Sequence, residues 1–91
     1  MDKKYVDNLT KSEEKLQHLK QEFSEYVKPN DQFVITIERL LAHIGQLLYM
    51  CLKFSNSVTP ELLEASTVYF KLNIEGLEKV LDAIRNGSNK T

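Results

Sequence analysis

Apolar residues recur at helical spacing in three stretches of the chain, and two short polar breaks separate them. In the first stretch Tyr5, Leu9, Ser12, Leu16, Leu19, Phe23 and Tyr26 follow one another at alternating steps of four and three. Such spacing keeps a narrow stripe on one side of a helix and leaves the rest to water, the pattern of a coiled-coil-like seam. The third stretch carries an equally regular seam at Leu63, Thr67, Phe70, Ile74, Leu77, Leu81 and Ile84, flanked by Leu62, Tyr69 and Val80. The middle stretch has the widest apolar face, built on Val34, Ile37, Leu41, Ile44, Leu48 and Cys51 with Phe33, Leu40, Leu47 and Phe54 beside them. That width predicts that the second helix is the rod touching both others.

The breaks define the ends. Pro29 disfavours a helical Lys28, and Asn30 or Asp31 can cap the next helix. At the second break Thr59 is placed to cap, Pro60 to occupy the first helical position and Glu61 to face the helix dipole. Val58 and Leu63 then fall at the two positions of a hydrophobic staple. Asn86-Gly87, preceded by Arg85, has the composition of a C-terminal cap. The reading is a single all-α domain, 1–91, with helices at about 3–27, 31–55 and 60–86 and a tail at 87–91. Short loops between rods of similar length make it an antiparallel, up-down-up three-helix bundle. The β-branched run Val34 to Ile37 lacks the period-two alternation of a strand.

Leu40 to Leu52, LLAHIGQLLYMCL, carries no formal charge at pH 7 in a chain that is 27% charged. On a helix this run divides. Gln32, Arg39, Gln46 and Lys53 recur every seven residues on the line opposite the core face. Beside that line stand Ile35, Ala42, Tyr49 and Met50, apolar residues for which a three-helix core has no evident place. A patch of that kind marks an interaction surface, and these four are the expected partner-binding residues.

Composition narrows the functional classes. A formal net charge of -1, with 12 basic and 13 acidic residues interleaved, offers no electrostatic footprint for nucleic acid or an anionic membrane. The charge-free run is shorter than the roughly 20 apolar residues of a membrane span. Cys51 is the sole cysteine, which excludes an intrachain disulfide, and the charged N-terminal third contains no apolar signal region. Cytoplasmic location is the expectation.

Candidate chemistry is sparse. His18 follows Glu14 by one helical turn, a solvated pair with too few neighbours for a metal site. His43 is expected as a half-buried, hydrogen-bonded structural residue, and Cys51 as an inert small hydrophobe on the core line. Gly76, inside a helix at a cost of about 1 kcal/mol relative to Ala, is read as a point of close approach for a neighbouring helix or for the ring of Tyr5 or Tyr26. Asn73 beside it would require a partner if buried. Phosphate-binding, dinucleotide and hydrolase signatures are absent. The chain reads as a small non-enzymatic helical protein, without cofactor or metal, that acts as an interaction or regulatory module of the adaptor, inhibitor or immunity type. A homo-oligomeric structural bundle is the first alternative, and a metal or ligand carrier using His18 and His43 the second.

Overall fold

The computed structural model describes residues 3–89, with side chains to residue 87. Three long helices form: α1 (Lys3–Phe23), α2 (Gln32–Lys53) and α3 (Pro60–Asn89), with one 3₁₀ turn at Ser55–Ser57. All three helices contact one another, and no strand occurs among the described residues. Cross-helix pairs give the directions. Lys20 Nζ of α1 lies 3.4 Å from Glu38 Oε1 of α2, and Phe23 stacks on Phe33 with ring centroids 5.8 Å apart, so the end of α1 meets the start of α2. Arg85 near the end of α3 donates to Glu22 Oε2 at 2.7 Å near the end of α1. Thus α1 and α3 run parallel and α2 runs against both.

Local signals set the starts of the helices. The Asp31 carboxylate accepts from the Phe33 amide at 2.9 Å, capping α2 from an extended backbone conformation. Thr59 Oγ1 accepts from the Leu62 amide at 3.1 Å, while Val58 and Leu63 are both buried in the core as the two arms of a staple. Thr59→Ala is expected to cost about 1 kcal/mol. A urea titration that finds no change in midpoint would show the cap to be dispensable.

Helix ends differ from expectation at three places, the first being α2, which stops at Lys53 rather than 55 and gives way to the 3₁₀ turn. α1 stops at Phe23 rather than near Val27, because the amides of Tyr26 and Val27 both turn back onto the Phe23 carbonyl. This tightened turn brings Tyr26 beneath the Arg85 guanidinium, 5.9 Å from its ring centroid. α3 continues through Gly87 to Asn89, since Gly87 does not take the left-handed conformation that a glycine cap requires. Of the predicted 87–91 tail, 87–89 is therefore helical and 90–91 lies outside the described residues.

The central rod is not the one that apolar width suggested. α1 brings its backbone close to both α2 and α3, whereas α2 and α3 make no comparably close backbone approach. The Cα envelope is accordingly flattened, 54 Å long by 20 Å by 15 Å. Leu9, Leu16, Leu19 and Phe23, all buried, insert α1 as a wedge. Between α2 and α3 the spacers are rings: His43 stands edge-on to Phe70 at 5.2 Å and 6.2 Å from Tyr69. A narrow leucine seam allows close approach, and a wide face with large rings fills a wider gap.

Glycine placement carries a further test. Nothing stands within 4 Å of where a Cβ would be at Gly45. Gly45→Ala is expected to stabilise the domain by about 1 kcal/mol through helix propensity alone. Calorimetry should show the melting point rising by about 4–8 °C; a fall would mean that the site is more confined than its open surroundings indicate.

Candidate interaction surface

The residues expected to bind a partner on α2 do not form one continuous apolar patch. Ile35, Ala42 and Tyr49 are exposed, Tyr49 to 55%, but they lie seven residues apart along the outer line of the helix. That spacing is roughly 10 Å per step, and Glu38, Arg39 and Gln46 stand among them. Met50 is half-buried and packs against the core, so it contributes little to that line.

An exposed apolar flank also lies on α3, where Leu62 and Tyr69 border the seam read from the sequence. At about 100° per residue, the eight charged residues Glu61, Glu64, Lys71, Glu75, Glu78, Lys79, Asp82 and Arg85 all fall on one side of the helix. The other flank carries Leu62, Ala65, Tyr69, Leu72, Gly76 and Ala83 with no charge among them. Leu62, Tyr69 and Leu72 are 43%, 50% and 61% exposed. Val80, on the same side, is half-buried against the core. The lopsided charge distribution is legible in the sequence.

Tertiary packing explains why the two sides differ. The charged side of α3 faces α1, where Lys11, Lys15, Lys71, Glu75 and Glu78 border one shallow depression and Glu22, Asp82 and Arg85 another. The uncharged flank faces outward on the α2 side, where the backbones stand apart. Asn73 does not need an outside partner, because its amide donates to the Tyr69 carbonyl at 2.8 Å. A methyl group placed on Gly76 would meet nothing within 4 Å, so neither Tyr5, Tyr26 nor an adjacent helix accounts for this glycine.

The other candidate groups stay apart from this surface or stay quiet. His43 is exposed rather than half-buried, held by ring contacts with Phe70 and Tyr69. His18 is exposed on α1 beside Glu14 in a depression lined by charged and polar side chains. His18 and His43 lie on different helices, and although His18 borders carboxylates of α1 and α3, among the described residues no group of three or more His, Cys, Asp or Glu is arranged to hold a metal. Cys51 is buried, and burial pushes its thiol above the ordinary cysteine value. A desolvated thiol is a poor nucleophile because the reactive form is the thiolate.

α2 also meets the length and apolar content of a membrane-crossing helix, with a mean hydropathy of 1.2 over its most apolar window. A core helix meets the same criterion, and here Val34, Ile37, Leu40, Ile44, Leu47 and Cys51 are buried against the bundle. No protein-family model, no curated protein and no solved structure matches this chain.

Proposed function

We propose that this protein is a non-enzymatic interaction module whose working surface is the uncharged flank of α3. The observation that carries the reading is the exposure of Leu62, Tyr69 and Leu72 on a side of the helix that bears no charge, while all eight charges of α3 lie elsewhere. Exposed apolar side chains that adjoin one another mark binding surfaces, and Tyr is among the residue types enriched in interface cores. Support also comes from the weak chemical inventory: a buried thiol and two histidines on separate helices assemble no nucleophile, base and orienting group.

The test is Tyr69→Glu combined with Leu72→Lys. Leu72 is well exposed and its change should shift stability by no more than about 0.5 kcal/mol, whereas Tyr69 also touches His43 and Phe70 and its change should cost more, about 1 kcal/mol. The double variant should remain helical by circular dichroism and lose protein association, read by affinity capture at equal bait concentration. Tyr49→Asp serves as the comparison on the outer line of α2 and should leave association intact. A folded Tyr69→Glu, Leu72→Lys variant that keeps every associated protein would overturn the assignment, and loss only on Tyr49→Asp would move the surface to α2.

A further inference from the structure

We infer that the occupant of the α3 flank is a second copy of this chain, paired antiparallel through α3 about a two-fold axis between Phe70 and Lys71. This rests on the interaction reading above and names its partner.

The argument begins with spacing. Ala65, Tyr69, Leu72 and Gly76 succeed one another at steps of four, three and four, a series that reads the same in both directions. When two such helices cross antiparallel with the axis midway, Tyr69 faces Leu72 of the second copy and Ala65 faces Gly76 of the second copy. Large side chains meet large ones at the centre, and small residues meet on either side, where they permit close backbone approach. A two-fold arrangement repeats every contact, as an isologous interface must.

Charge agrees with this register. Glu61 and Lys79 lie on the same edge of the flank, and equivalent edges of antiparallel helices face each other. Their positions place Glu61 of one copy beside Lys79 of the other, twice, at the two ends of the contact. Opposite charges at the rim favour that orientation, since in a parallel pair equivalent edges lie on opposite sides of the contact and Glu61 would not reach Lys79. Gly76 is accounted for as well, since the space beside it is empty in the single chain and would hold the opposing helix in the pair.

The test has two parts. Sedimentation equilibrium from about 10 µM to about 1 mM should give a mass rising to that of a dimer, because association is concentration-dependent. Leu72→Lys and Gly76→Leu should each weaken pairing by about 100-fold or more, with circular dichroism confirming that each variant remains helical. In a Cys51→Ala background, Ala65→Cys with Gly76→Cys should cross-link between chains through a short bis-maleimide. Each single cysteine should not, being separated from its own symmetry mate by about 16 Å of helix axis.

Cross-linking by the Ala65→Cys variant alone would establish a parallel or shifted pairing and overturn the register. Dimers that survive both Leu72→Lys and Gly76→Leu would place self-association elsewhere. A parent chain that stays monomeric to about 1 mM would overturn self-pairing. In that case, loss of other captured proteins on Tyr69→Glu, Leu72→Lys would leave the interaction surface standing, and their retention would remove both readings.

Discussion

Phe70→Ala is expected to unfold much of the protein near physiological temperature. Phe70 is fully buried, with its ring 5.2 Å from His43 and 5.5 Å from Tyr69, and it fills the space where α2 and α3 stand apart. Truncating a buried Phe costs about 3–5 kcal/mol, the larger values applying where the surroundings cannot collapse into the void. α1 holds both other helices by its own seam, which prevents α2 and α3 from closing the gap freely. A chain of this length has roughly 5–14 kcal/mol in total, so the loss removes much of it. Phe70→Leu retains most of the volume and should cost less than about 1.5 kcal/mol. Urea unfolding followed by circular dichroism compares the two. If Phe70→Ala proves as mild as Phe70→Leu, the helices do close and the ring is no spacer.

The second large effect concerns Cys51. Its thiol is buried on α2, so alkylation requires the surrounding structure to open. At a stability of about 5 kcal/mol the open form is of order one molecule in several thousand. Labelling of the native protein by iodoacetamide should therefore be at least about 100-fold slower than in denaturant, with allowance for fraying near the end of α2. Mass spectrometry follows the adduct directly. Labelling at the unfolded rate would show Cys51 to be accessible and would remove the case for its inertness.

The same burial predicts a pH dependence. Because the folded thiol ionises above its ordinary value, the unfolded chain loses its proton first as pH rises. Stability from this group is complete below the unfolded thiol value and falls as pH climbs through the folded one, so its window begins above about pH 8.5. Cys51→Ala should remove that component, and stability curves of parent and variant should converge as the solution is made alkaline. Curves that remain parallel above about pH 8.5 would mean that Cys51 ionises equally in both states.

Much of the fold is legible because it is local. Asp31 and Thr59 cap the amides two and three residues ahead, so the information sits within one helical turn. The staple of Val58 and Leu63 is equally short-range. Seams at Leu9, Leu16, Leu19 and Phe23, and at Leu63, Phe70, Ile74, Leu77 and Leu81, are visible because a helix repeats its faces every three to four residues. The ends of α1 and α3 were less legible. The turn over Ser24 to Val27 lies against Arg85, a side chain some sixty positions away.

The candidate surface separates the two kinds of information most clearly. From the order of residues alone came the number of helices, their antiparallel sequence, the confinement of α3's charges to one side and most of the core-facing positions, although Phe54 and Tyr26 are exposed and Leu40 and Leu47 are buried more deeply than Leu41 and Leu48. Each follows from periodicity and from the cost of burying charge. Tertiary structure alone decided which helix is central and which apolar flank stays uncovered. Apolar width on α2 suggested the middle position, yet the narrow seam of α1 wedges between the other two while His43, Tyr69 and Phe70 hold α2 away from α3. Interhelical distance depends on the side chains that meet across each interface, and those meetings exist only once the three rods are packed. That spacing leaves Leu62 and Tyr69 partly open to water, while Met50, expected outside, is half-buried against the core.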